Sequence, residues 1–203
     1  DLTGGMKYNH KDLRNVLERA SARETAARVA VGALVSQLLD EFDISFGSCV
    51  QRIGEIEDKP SERTEEFYKR ANASLVGFGD ADAEKKAMEY IDNIKARGES
   101  VGGIVETTVF GLPAGLGSYV HYDRKLDAQI AFAVMSIQAI KGVEFGMGFK
   151  TGCVSGAKVH DEIGYDSGFF RYTNNAGGIE GGMTNGEPVI VRAAMKPIPT
   201  QYN

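Results

Sequence analysis

The run Arg19-Ala20-Ser21-Ala22-Arg23-Glu24-Thr25 sets two guanidinium groups at the mouth of a helix. Ser21 and Glu24 have the S-x-x-E spacing of a capping box, in which the serine caps the first turn and the glutamate reaches back. From Ala26 onward nearly every position is apolar or small, including Val29, Val31, Leu34, Val35, Leu38 and Leu39, as in a helix enclosed on several sides. Arg19 and Arg23 then flank a helix N-terminus, where the peptide dipoles favour negative charge, so the segment reads as a phosphate or carboxylate site. The same arginines would also suit the exposed end of a core helix.

Two further segments carry chemistry of the same kind. The loop Asn174-Asn-Ala-Gly-Gly-Ile-Glu-Gly181-Gly-Met-Thr-Asn-Gly186 has neither the dinucleotide fingerprint nor a P-loop. Its glycines can still turn backbone N–H groups to a ligand and let a flat ring lie on the main chain, although a long hairpin connection explains them equally. Lys196-Pro197-Ile198-Pro199-Thr200 combines a cation, a hydroxyl and a stiff backbone suited to holding phosphate. Gln138 is a polar residue in an otherwise apolar stretch, satisfied either by neighbouring backbone or by a heterocycle. His10, His121 and His160 have no metal-ligand spacing, so no metal is expected.

These residues need a frame, and the chain is long enough to build one. Its 203 residues are 42% hydrophobic, with no apolar run approaching the roughly 20 residues of a membrane span. Cys49 and Cys153 fit no disulfide framework and read as reduced thiols in or near the core of a cytoplasmic protein. With a net charge of −5 and no basic stripe, nucleic acid is not an expected partner, and with no long apolar run neither is a membrane.

Periodicity predicts a short helix from His10 to Glu18 capped by Asn9, then the long helix from Ser21. It predicts a strand near 43–56, a charged segment over 59–72, and a helix from Ala81 to Arg97 capped by Asp80, the stretch 59–98 forming a solvated excursion. A β-rich run follows at 101–110, and a second well-buried helix over Leu126 to Ile140. Strands are expected at 143–149, where Gly146 and Gly148 mark close backbone approach, at 169–173 and at 188–195. The whole reads as one α/β (α+β) domain over residues 1–203, a β-α-β sandwich with central buried helices between antiparallel sheets.

Taken in order, Asn9-His-x-Asp-x-Arg-Asn, Arg19-Ala-Ser-Ala-Arg-Glu-Thr-Ala, Ser100-Val-Gly-Gly-Ile-Val-Glu, Pro113-Ala-Gly-Leu-Gly, Lys125-Leu-Asp-Ala, Met135-Ser-Ile-Gln-Ala-Ile-Lys-Gly, Asn174-Asn-Ala-Gly-Gly-Ile-Glu-Gly-Gly and Lys196-Pro-Ile-Pro-Thr resemble chorismate synthase across the chain. The resemblance implies a carbon–oxygen lyase of the shikimate pathway. It would convert 5-enolpyruvylshikimate-3-phosphate to chorismate by anti-1,4-elimination of phosphate, with reduced FMN required, in a homotetramer. Some members also reduce flavin with NADPH.

Carried over by position, Arg19, Ala20, Ser21, Gln138, Ala139, Gly181, Lys196, Pro197, Ile198, Pro199 and Thr200 would contact the flavin, and Ser21 and Arg23 the substrate. Ala20 stands where many members have a second serine. The family's histidines and its C-terminal arginine and aspartate have no counterpart in this sequence, so catalytic residues are unassigned and little turnover is expected of this chain alone. The competing expectation is a non-catalytic flavin-binding or oligomerisation core.

Overall fold

The computed structural model describes residues 2–58 and 63–199. In chain order it runs α1 (Leu2–Tyr8), α2 (Arg14–Ala20), α3 (Thr25–Asp40), β1 (Ser45–Ile53), β2 (Ile56–Glu57), α4 (Glu65–Ala73), α5 (Ala81–Ala96), β3 (Gly103–Phe110), α6 (Leu126–Met135), β4 (Ile140–Phe145), β5 (Ile163–Tyr165), β6 (Phe169–Arg171), β7 (Ile179–Glu180), β8 (Met183–Thr184) and β9 (Val189–Met195). One five-stranded sheet, β2-β1-β3-β9-β4, is antiparallel at every pairing, and β5-β6 and β7-β8 form two small ribbons. The expected mixture of helices and antiparallel sheets is what forms. No helix among the described residues is long and apolar enough to cross a membrane.

Alternation along the strands divides the sheet into two faces. On one, Cys49 packs with Phe67, Tyr68 and Ala71 of α4. On the other, Val189 and Val191 meet Ile179, with Leu126, Ile130 and Val134 of α6 closing over them. The stretch expected as a solvated excursion therefore supplies a core, because Phe67, Tyr68 and Ala71 share one side of a helix whose other side is charged. Asp80 caps α5 as expected, accepting from the backbone N–H of Ala83 at 2.7 Å.

A row of paired charge runs across this sheet, buried at its centre. Glu144 on β4 stands opposite Arg192 on β9, and Arg192 opposite Glu106 on β3. Glu106 is fully buried, accepting from Arg63 at 2.5 and 2.8 Å and from Arg192 at 2.7 Å. Arg192 also donates to Glu144 at 3.0 Å and to the Gly146 carbonyl at 2.6 Å. Burial works to raise the Glu106 carboxyl, but Arg63 and Arg192 outweigh it and hold it below its usual range.

Several expectations are corrected. Asn9 closes α1 instead of opening the next helix: its φ of 54° is the left-handed turn that asparagine tolerates. The second long helix stops at Met135, and residues 136–139 form a turn. The helices predicted to be enclosed are not: neither α3 nor α6 has a buried residue, with Leu34 69% and Phe132 79% exposed. Each has neighbours on one side only within this chain, so apolar composition on all faces outruns the surface available to cover it. Cys49 is buried, which with the nearby Glu106 and Asp58 charges pushes its thiol up to about 12. Cys153, expected in or near the core, is exposed because it ends a 3-10 turn outside the sheet.

Glu106→Ala is expected to cost about 3–5 kcal/mol in urea unfolding, since it leaves buried arginine charge uncompensated. Because Glu106 titrates lower folded than its ordinary value of about 4.3, its pairing contributes fully above that value and is lost as pH falls through the folded one. Wild-type stability should therefore fall more steeply over that acid window than that of Glu106→Gln. Gly146 has φ 54°, and a side chain there would meet the Asn175 carbonyl at 2.1 Å. Gly146→Ala should thus lower the unfolding free energy by more than about 1 kcal/mol.

Candidate functional site

Three segments singled out by their residue types meet at the C-terminal end of α6. Ser21 follows α2 with extended backbone (φ −85°, ψ 171°), and a short 3-10 turn, Ala22–Glu24, leads into α3. The expected capping box does not form. The Ser21 N–H already donates to the Leu17 carbonyl at 2.9 Å, so nothing requires Glu24 to reach back. Its carboxylate turns instead to Gln138, whose Nε2 donates to Glu24 Oε2 at 2.6 Å, and to Arg28, whose Nε donates to Oε1 at 3.1 Å. Arg28 reaches on to Ser136, donating to its Oγ at 2.9 Å and to its carbonyl at 3.3 Å.

Gln138 therefore lies in the turn after α6, not within a helix. Ala139 beside it has φ 70°, the left-handed region where a Cβ is strained. That conformation aims the Ala139 carbonyl at β9, where the Lys196 N–H donates to it at 3.0 Å. Beyond Lys196 the chain stays exposed through Pro197, Ile198 and Pro199, tethered by Ser100 Oγ donating to the Ile198 carbonyl at 2.5 Å. Thr200 lies outside the described residues.

The electrostatics of the seam are uneven. Glu24 titrates below its usual range, chiefly through the hydrogen bond from Gln138 and then through Arg28 and Arg19, so it is an anion at neutral pH. Gln138 Oε1 is buried and has no hydrogen-bond partner among the described residues. Arg23 is engaged with Glu18 on the surface, an exposed pair of small energetic weight. Arg19 and Ala20 line an open groove shared with Thr3, Tyr8 and His10.

Gly181 stands apart from this group. It lies in the β7–β8 turn, whose Gly182 carbonyl accepts from the Leu126 N–H at the opposite end of α6. A ten-residue helix separates the two places by about 15 Å. Hydrogen bonds thus link the segment that follows Ser21, through Glu24, to Gln138, and the Lys196 backbone to Ala139, while Gly181 lies at the other end of α6. Reasoning from residues missed Glu24, Arg28 and Ser136 as members of the site. The i, i+4 spacing of Glu24 and Arg28 was a visible signal for that pair, but nothing local pointed to partners more than a hundred residues away.

The chain is similar in sequence and in fold to known proteins. The family model described as Chorismate synthase matches residues 1–203. The chain is 53% identical over 212 residues to a chorismate synthase of Geobacter sulfurreducens, covering 100% of this chain and 54% of that protein. It is 53% identical over 206 residues to the Bacillus subtilis enzyme of that name, covering 100% and 53%. A solved structure titled "Crystal Structure of Chorismate Synthase" superposes with a TM-score of 0.92 at 49% identity, over 97% of this chain and 62% of the other. The chain spans about half the length of the curated relatives it matches. Matched along its whole length in sequence and nearly so in fold, the chain belongs to the chorismate synthase family.

Proposed function

We propose that this chain forms the flavin-binding centre of a chorismate synthase. The whole protein would convert 5-enolpyruvylshikimate-3-phosphate to chorismate by anti-1,4-elimination of phosphate and a ring hydrogen, in the cytoplasm and as a homotetramer. The observation that carries this reading is Gln138 Oε1, a buried acceptor with no partner among the described residues, at the seam of three family segments. An unmet buried acceptor costs about 1–3 kcal/mol, and a ring N–H is the kind of donor that removes the cost.

Other features of the seam fit reduced FMN as well. Lys196 is an exposed cation at a strand end, placed to meet a phosphate. Ser21 contributes a hydroxyl, and Ala139 a stretch of strained main chain. Outside the seam, at the other end of α6, the space around Gly181 is open, the nearest atom to where a side chain would begin being Met183 Cε at 3.9 Å, which leaves the backbone there accessible to an extended ligand. Bound reduced FMN would supply an electron-rich ring that supports the substrate as phosphate departs. Arg23 would then leave Glu18 for the substrate's negative charge, a small cost for an exposed pair.

Proton transfer is a separate matter. General acid/base catalysis needs a group that titrates near the working pH and reaches the proton. Glu24 is held in its anionic form, and its neighbours Gln138 and Ser136 are an amide and a hydroxyl that do not serve as bases. The seam binds and orients, and we infer little or no turnover from this chain alone. The uncovered apolar faces of α3 and α6 favour association of copies as a second role.

Flavin titration tests the binding reading. FMN fluorescence should be quenched by the wild-type chain, and Lys196→Ala or Gln138→Ala should each weaken that response about tenfold, the scale of one lost charged or buried hydrogen bond. A steady-state assay of 5-enolpyruvylshikimate-3-phosphate with reduced FMN should show negligible turnover. Rates comparable with a full-length relative would overturn that part of the proposal. Sedimentation at micromolar concentration should show species larger than the 21.9 kDa monomer.

A further inference from the structure

We propose that Glu24 is a positioning residue that fixes which end of the Gln138 amide faces the ligand. The inference rests on the flavin reading above, and concerns how this chain's own residues are set before any ligand arrives. An ionised carboxylate can only accept hydrogen bonds. Glu24 Oε2 sits 2.6 Å from the Gln138 amide nitrogen, so that nitrogen must face Glu24 and the oxygen must point away from it. The oxygen that results is the buried atom with no partner among the described residues. Reversal of the amide would turn the carbonyl toward a carboxylate, placing two acceptors in contact in a partly buried site.

The carboxylate is itself held. Arg28 bonds Glu24 with one edge and the Ser136 carbonyl and hydroxyl with the other, and Ser136 Oγ donates back to the Ala133 carbonyl at 2.6 Å. Glu24, Arg28 and Ser136 thus form a brace between the start of α3 and the end of α6, and Gln138 is the moving part it immobilises. A glutamine free to flip would present a donor about as readily as an acceptor. With Glu24 in place it presents only an acceptor, which selects for ring N–H groups and against ring carbonyls. Glu24 acts through Gln138 and contributes no contact of its own to the ligand.

The test combines a ligand-free readout with a titration. In an amide-correlated NMR spectrum of the 203-residue chain, the Gln138 side-chain signal is identified by its loss in Gln138→Ala. It should be shifted downfield and slow to exchange in the wild type, and should move to the free-amide range in Glu24→Ala while the rest of the spectrum stays in place. FMN binding should weaken about tenfold in Glu24→Ala, about tenfold in Gln138→Ala, and no more than that in the double variant, because residues acting through one another are not additive. Glu24→Gln keeps the volume but adds a donor, and should lose affinity less than Glu24→Ala; it decides the matter if the alanine variant does not fold. An unmoved Gln138 signal, unchanged FMN affinity in both Glu24 variants, or an additive double variant overturns the positioning role alone. A wild-type chain that does not respond to FMN removes the cofactor reading, and with it the ligand this role requires, whatever the Gln138 signal does.

Discussion

Register in the central sheet hangs on one row of charge. Glu144, Arg192 and Glu106 stand side by side on β4, β9 and β3, and a slip of one residue would turn each of them to the opposite face of the sheet. A slipped Glu106 would be a buried carboxylate without its two arginines, which burial alone makes costly. Apolar packing tolerates alternatives more readily, since valines stand on both sides of this row. The ion row therefore specifies the pairing, and the pairing in turn puts Ile140 opposite Met195. One residue beyond each, Ala139 and Lys196 are joined by a backbone hydrogen bond. The candidate site is in this sense a consequence of charge placed on the sheet between 30 and 60 residues away in sequence from some of its members.

At the seam itself, local conformation and long-range polarity reinforce each other. Ala139 adopts a left-handed φ that costs on the order of 1 kcal/mol or more for a residue with a Cβ. The turn pays this because it must end α6, start β4 and present its carbonyl to Lys196 within four residues. With the backbone so fixed, the Gln138 side chain falls within reach of Glu24, and its oxygen is left buried without a partner among the described residues. Main chain held in a strained conformation by its neighbours, beside an acceptor with no donor among the described residues, is what a site ready for a ligand looks like.

Legibility of the fold from the sequence followed the range of the interactions. The Asp80 cap, the alternation of β1 and the β-branched run of β9 are set by neighbours a few residues apart, and each formed where periodicity put it. Ser21 and Glu24 had the right spacing for a capping box, yet the preceding helix had already satisfied the Ser21 N–H, a competition that spacing alone does not express. Asparagine serves both ends of a helix, so the residue type at position 9 does not by itself tell an opening cap from the left-handed turn that closes α1. Gln138 stands out in the sequence as a polar residue in apolar company, but the helical periodicity that runs through it outlasts the helix, which stops at Met135. Its partner, 114 residues earlier, belongs to tertiary structure, and only the ordered series of family segments hinted that the two regions meet.

The remaining tension lies in α3. Val29, Val31, Leu34, Val35 and Leu38 are each at least 45% exposed, so the burial energy of this helix is almost entirely uncommitted within the chain. What holds it is polar: Glu24 to Gln138, and Arg28 to Ser136. Contacts of that kind are worth about 1 kcal/mol each, whereas covering five such side chains is worth several times more. The energies are ordered so that the polar brace chooses where α3 points, and the apolar face decides how firmly it stays there. Any surface that covers α3 therefore stiffens Glu24 and, through it, the Gln138 amide. The same helix carries both the uncovered apolar face and the brace from Glu24 to Gln138, so covering the one would bear directly on the rigidity of the other.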